Sequence, residues 1–535
     1  LKFARLAPVL FALLAASAVY LPRLSAPLMW DDRPFLLDNT AIERPISLKS
    51  YVSPDYFNWS GELTWRPLAT WSYSALSRLF LKRPFPMRAG MLVLHLLNCA
   101  LLAWLIAGAG LGAEVALIAA AFFLIHPAHV ETLMCVTFNK EILCALGILG
   151  MLVAHQRGRA AWAAGFLIFA LLPKEAGLAG PLLALLYDAV VRREVRWKDH
   201  ALYAAIAAVY LAVRFGPLRG PGGEQNLSAL LPFSERFYYA ARGFASSYRV
   251  LLFPRRLRID YFALPASSAL DALLWVYAAL AILAAVYVLA RMHRKRAPGA
   301  SFFLLWPLPF LFLTSNLLPT AVLSLRLMAE RWLYLPALGF SAAAAYAVRE
   351  RPRARWLLLC LWGVLGLSRA VDWQSESRLW KSLVDIYPWS AKANEGLADA
   401  YFREDDNGRA LAYYERALAL RRDKEDLVLR HYAAIAPPGT IGWDSPFLYR
   451  GLGLTRLRLG EKAAAEDMFA KAVALQPSDG FSYRVLSYLA AEGGDFPRSR
   501  GWLDKGLAQN PQDDFLRRLE GDVARRRLSF RARFD

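Results

Sequence analysis

Five short stretches place ionisable side chains beside long apolar runs. They are Asp31 and Asp32 in WDD, Arg66 in TWRPL, His126, His129 and Glu131 in IHPAHVE, Lys174 and Glu175 in PKE, and Glu330 and Arg331 in ERWLYLP. A carboxylate in such a place can take a proton from a hydroxyl, and a nearby cation can stabilise a developing anion. Arginine suits a phosphate best, because its planar fork presents paired donors. Asp31, His126, His129 and Glu131 also offer oxygen and nitrogen ligands, but they come from different segments and their spacing specifies no metal. Each group has a plain structural reading as a helix end, a packing group or an interface anchor. Their joint placement at membrane boundaries makes them functional candidates. No Walker loop, dinucleotide fingerprint, nucleophile elbow or HExxH motif is present, so any chemistry must come from these gathered groups.

The elements that position them are set by hydropathy. The chain has 535 residues, 57% hydrophobic and 13% aromatic, with a mean hydropathy of +0.28. That composition describes a membrane protein. Apolar runs near 4–22, 89–108, 110–126, 132–154, 159–173, 176–191, 200–215, 271–291, 301–319, 330–348 and 355–371 predict about eleven crossings. The net charge of +20 is concentrated in clusters between those runs, RREVRWK from 192, RMHRKR from 291 and RERPRAR from 349. Such clusters mark cytoplasmic loops, and no nucleic-acid-reading module accompanies them. Lys2 and Arg5 put the first segment's start inside, so all five stretches, and the loop 23–88, fall on the extracytoplasmic side. "ASA" at 16–18 also resembles a signal cleavage site, a reading that leaves Asp31 outside as well. Residues 236–253 carry Arg242 and Arg249 in mid-segment and are read as lying in, or re-entering from, the outer face. Cys99, Cys135, Cys144 and Cys360 sit in apolar runs without metal or disulfide spacing. The richness in Ala, Leu and Arg fits a bacterial gene, hence a bacterial inner membrane.

After 371 the pattern changes to helical repeats of 34 residues, which an odd number of crossings sends to the periplasmic side. Units are expected near 391–424, 446–479 and 480–513. Small and aromatic residues recur at fixed offsets, as in Leu397, Ala398, Ala410, Tyr414 and Ala417, then Leu452, Gly453, Ala465, Phe469 and Ala472. Trp380, Leu383 and Pro388 match the second helix of a preceding unit, and residues 425–445 break the register with an insertion.

The order WDD, TWRPL, HLLN, HPAHVE, NKEIL, PKE, ERWLYLP and DWQSESRLW, leading into tetratricopeptide repeats, resembles the transmembrane and tetratricopeptide repeat family of protein O-mannosyltransferases and its bacterial relatives. That family belongs to the GT-C glycosyltransferases, and the resemblance covers nearly the whole chain. It implies an all-α architecture: a polytopic GT-C-type helical domain over 1–371 and an extracytoplasmic tetratricopeptide-repeat solenoid over 372–535. It implies an inverting transferase moving a sugar, mannose by family, from a polyprenyl-phosphate donor to Ser or Thr hydroxyls of protein. The base then falls on Asp31 or Asp32. Arg66, His126, His129, Glu131, Lys174, Glu175, Glu330 and Arg331 are expected around the donor phosphate or substrate. The lipid-linked sugar is a substrate, no cofactor is called for, and a divalent metal stays open. Expected partners are the lipid-linked sugar, the bilayer and an acceptor polypeptide held by the repeats. Two alternatives are a GT-C transferase acting on a glycolipid or surface polysaccharide, and a non-catalytic scaffold or transporter whose repeats recruit partners.

Overall fold

The computed structural model describes residues 2–44, 46–220, 231–315, 317, 326–435 and 442–534. It is mostly helical and divides into two compact units, Leu1–Leu379 and Trp380–Asp535.

In the first unit each of the eleven apolar runs contains helix among its described residues. Proline opens several of them, at Pro84, Pro298, Pro307 and Pro352, where its missing N–H has no intrahelical partner to lose. Only five helices among the described residues are long and apolar enough to cross a membrane: Leu6–Arg23, Pro84–Gly108, Val136–Gln156, Ala269–His293 and Pro352–Asp372. Of the about eleven crossings expected, length and composition alone support these five. The other runs are cut short, by Pro173 after Ala160–Leu171, by Pro307 between Pro298–Leu305 and Pro307–Leu313, and by the wide turn Asp188–Arg192 after Ala179–Tyr187. Short helices pack closely through small residues. A Cβ at Gly147 would fall 2.8 Å from the Ala170 backbone, and one at Gly339 would overlap the Trp306 side chain.

Polar contacts gather the turns into two sets. In the first set, Asp32 reaches Val136 and Thr137, Arg88 reaches Pro27 and Met134, Lys174 reaches Glu141, Arg66 and Arg214 reach Glu175, and Glu330 reaches Arg369. In the second, Gln156 donates to the Leu105 carbonyl, His155 and His200 meet Asp188, Arg193 donates to the Arg294 carbonyl, and Arg355 pairs with Glu114. The segment read as lying at the outer face is the helix Phe233–Leu252. Its C-terminal end meets the turn after Gly112–Ile125, where His126 Nε2 lies 3.1 Å from the Leu251 carbonyl, and Arg242 in mid-helix donates to the Leu264 carbonyl at 2.9 Å. A two-stranded antiparallel ladder, Tyr261–Phe262 against Arg326–Met328, follows it.

The second unit is a run of antiparallel helix pairs: Ala391–Arg403 with Asn407–Arg422, Pro446–Arg458 with Lys462–Leu475, and Gly480–Glu492 with Phe496–Gln509. Asp514–Ala524 follows as another first helix. Ser390, Asp406, Ser445, Asp479, Asp495 and Asp513 cap helix starts by accepting from an amide three residues on. The recurring residues Leu397, Ala410, Tyr414, Ala465 and Phe469 are buried between helices. The insertion contributes the helix Leu427–Ile435, and its residues 436–441 lie outside the described residues.

Candidate functional site

The two acids that open the site are not equivalent. Trp30, just before them, has a left-handed backbone (φ +53°), unusual for a bulky residue and costly unless the surroundings enforce it. Its ring stands edge-on to Phe138 at 5.5 Å and near Trp373 at 6.2 Å. The loop before it is fixed by the buried Arg88, whose guanidinium donates to the carbonyls of Met134 at 2.7 Å, Pro27 at 2.8 Å, Leu24 at 3.2 Å and also Ala26.

The Asp32 carboxylate is completely buried. It accepts from the Thr137 amide at 2.9 Å, the Val136 amide at 3.1 Å and the Cys135 thiol at 3.3 Å. Burial pushes its carboxyl above the usual carboxylate range, opposed by Arg88 and those amides. Asp31 accepts no hydrogen bond among the described residues, is only partly buried, and acts electrostatically on Arg331, Lys140 and Cys135.

Around Asp31 the cations come paired with acids. Arg331 donates to Glu131 at 2.6 Å, with its guanidinium 4.6 Å from the Phe138 ring centre and 5.3 Å from that of Trp30. Arg66 makes a forked pair with Glu175, at 2.9 and 3.2 Å, and lies 3.6 Å from Glu62. Burial works to raise Glu175, but Arg66 and Arg214 prevail and hold its carboxyl well below the usual range. Lys174 is bound to Glu141. Lys140 is the least committed cation of the group: its closest acid, Glu62, lies 4.0 Å away, and the ring centres of Phe35 and Phe138 are 5.8 and 5.9 Å from its ammonium. Glu62 Oε1, Glu131 Oε2 and Glu141 Oε2 are buried and accept no hydrogen bond.

Of the residues singled out from sequence, the structure thus brings Asp31, Asp32, Glu131 and Arg331 together, and connects them to Arg66, Lys174 and Glu175 through Lys140 and its neighbours. Glu330 is held by Arg369 at 3.2 Å and by the Tyr261 hydroxyl at 3.3 Å, and it acts electrostatically with Glu131. His126 and His129 are fully buried among rings. One lies 4.7 Å from Trp362 and the other 4.5 Å from Phe123, and His129 Nδ1 is 2.8 Å from the Phe123 carbonyl. Sequence reasoning missed Lys140, Glu141, Glu62 and Arg88 as site residues. The NKE triplet at 139–141 carried a signal for two of them, whereas nothing local marks Glu62 or Arg88.

In the second set of turns, His155, Asp188 and His200 bring ligand atoms within 4.8 Å of one another, a grouping that includes none of the sequence candidates. Asp188 also binds the Arg192 guanidinium, which already neutralises its charge.

A tetratricopeptide-repeat model matches residues 391–424. No curated protein sequence matches the chain. Among solved structures, the crystal structure of the APC/C hetero-tetramer Cut9–Hcn1 aligns at 13% identity over 88% of this chain and 98% of that one, with a TM-score of 0.25. A likeness that slight carries no argument. The second unit therefore contains a tetratricopeptide repeat, a module that presents surfaces for binding other polypeptides.

Proposed function

We propose that the chain is an inverting glycosyltransferase that moves a sugar, mannose by the family resemblance, from a polyprenyl phosphate to Ser or Thr hydroxyls of protein at the extracytoplasmic face of a bacterial inner membrane. The observation that carries this reading is the uncommitted carboxylate of Asp31 beside Lys140 and Arg331. In the proposed step the acceptor oxygen attacks the anomeric carbon while its proton passes to Asp31. The bond from that carbon to the phosphate oxygen breaks, and the lipid phosphate leaves with its charge met by Lys140 and Arg331. One displacement inverts the centre. Asp32 holds the loop and does not touch substrate. The unsatisfied oxygens of Glu62, Glu131 and Glu141 suit a ligand rich in hydroxyl donors, as a sugar is.

The reading includes eleven crossings. It is supported by the two sets of turns, between which successive helices run back and forth. With only the five long helices crossing, residues 193 and 294 would lie on opposite sides of the membrane, yet Arg193 donates to the Arg294 carbonyl at 3.1 Å.

The test is transfer by purified protein from radiolabelled polyprenyl-phosphate mannose to a mixed protein and glycolipid fraction. Label in protein, released by base-induced elimination and lost in Asp31→Asn, is the expected result. Label in glycolipid alone redirects the acceptor, and no label in either overturns the transferase reading.

A further inference from the structure

The repeat unit already holds an extended segment against itself. After Asp514–Ala524, residues 528–534 form neither helix nor strand, and their burial alternates: Leu528, Phe530, Ala532 and Phe534 are half-buried, while Ser529, Arg531 and Arg533 are exposed. Alternation with period two is the mark of an extended chain with one side laid down on a surface. That side packs on Tyr488, Leu503, Leu516 and Leu519. Phe530 lies 5.9 Å from Tyr488 and 5.5 Å from Phe515, and Phe534 lies 5.5 Å from Tyr488 and 6.1 Å from Phe481. The backbone is tied down as well, since Asp522 accepts from both the amide and the hydroxyl of Ser529 at 2.8 Å.

The surface beneath is periodic. Phe447, Phe481 and Phe515 fall at the same place in three successive first helices, spaced by the repeat length of 34, and Arg450, Arg484 and Arg518 follow three residues later in each. Residues three apart share a helix face, so the first helices carry a ladder of Phe and Arg. Phe534 covers the Phe481 rung, and Phe530 and Phe534 cover that of Phe515, with Arg518 4.3 Å from the centre of the Phe530 ring. Phe447 is 57% exposed.

We propose that this ladder is a binding groove for extended polypeptides bearing aromatic residues four apart with a small apolar residue between, the pattern of Phe530, Ala532 and Phe534, and that segment 528–534 is an internal occupant such a ligand displaces. Alternate side chains supply the contact area, and the rings supply edge-on and tilted contacts that a merely greasy peptide in another register does not match. The inference stands on the repeat unit alone and needs no sugar transfer.

The test uses full-length protein in detergent and a fluorescein-labelled peptide copying Leu528–Phe534. The Phe530→Ala/Phe534→Ala variant, its groove vacated, is expected to bind the peptide about tenfold tighter than wild type. A peptide with both Phe replaced by Ser is expected to bind neither protein. In parallel, excess peptide added to wild-type protein is expected to speed hydrogen exchange at amides 529–534 as that segment is displaced, a readout that needs no variant. Equal affinity for both proteins together with unchanged exchange overturns the proposal. So does a variant that loses repeat helicity while wild-type exchange stays unmoved, which makes the segment a structural cap. A variant that dimerises without binding peptide also overturns it, in favour of a second copy as the occupant.

Discussion

At residue scale the decisive distinction is between two adjacent aspartates of identical chemistry. Asp32 satisfies two buried amides, so Asp32→Ala strips those donors of their acceptor and is expected to destabilise the first unit by about 1–3 kcal/mol, seen as a lowered melting temperature in detergent. Asp31→Asn touches no such bond. It is expected to leave melting unchanged while transfer falls by about 10²–10⁴-fold. A reversed pattern, with activity tracking Asp32 and stability tracking Asp31, would exchange the two roles. Lys140 belongs to the same argument. Lys140→Met is expected to weaken transfer more than Lys174→Met, because Lys174 is already bound to Glu141 whereas Lys140 has no acid closer than 4.0 Å. Both acids were visible in WDD. Which one is free was not, because the amides that bind Asp32 lie 104 and 105 residues further along the chain.

At the scale of elements, a strict period shows in a sequence and tertiary shielding does not. The 34-residue spacing of small and aromatic residues foreshadowed the repeat helices because each unit must bury the same positions against its neighbours. Hydropathy alone does not say which of the short apolar helices span, since their length is set by turns and by neighbours such as Ala170 against Gly147. One helix pair also carries a pH dependence. Glu395, on Ala391–Arg403, is pushed up to about 7, first by burial and also by Asp399, against the pull of Arg421 at 3.4 Å. A carboxyl raised in the fold favours folding most when protonated. Its contribution is therefore full below the ordinary value of about 4.3 and is lost as pH rises towards 7. Melting of wild type against Glu395→Gln is expected to differ least near pH 5, with wild type falling behind by about 1–3 kcal/mol at pH 8. A difference that does not change with pH would mean that Glu395 is ionised throughout.

At the scale of the whole molecule, the proposed chemistry requires Asp31, Glu131, Lys174 and Arg331 to share one side of the membrane. The contacts of Asp32 with Val136, Arg331 with Glu131 and Lys174 with Glu141 fit that requirement only if the helices Gly112–Ile125 and Ala160–Leu171 return the chain across the bilayer. Five crossings and eleven are both odd, so the far ends cannot tell them apart. The turn after Gln156 can. With eleven crossings residue 159 is cytoplasmic, and with five it is outside together with residue 55. Three native cysteines are buried and Cys360 is exposed, so Cys360→Ser gives a quiet background for labelling. In sealed right-side-out vesicles, a membrane-impermeant maleimide is expected to react with Asp55→Cys and Ser478→Cys at once, and with Arg159→Cys and Lys295→Cys only after the vesicles are opened. Labelling of Arg159→Cys in sealed vesicles would put the turn after Gln156 beside Asp31's loop. The short helices would then be interior packing elements that do not cross, Glu131 and Arg331 would be separated from Asp31 by the bilayer, and the proposed site would lose one of its flanks.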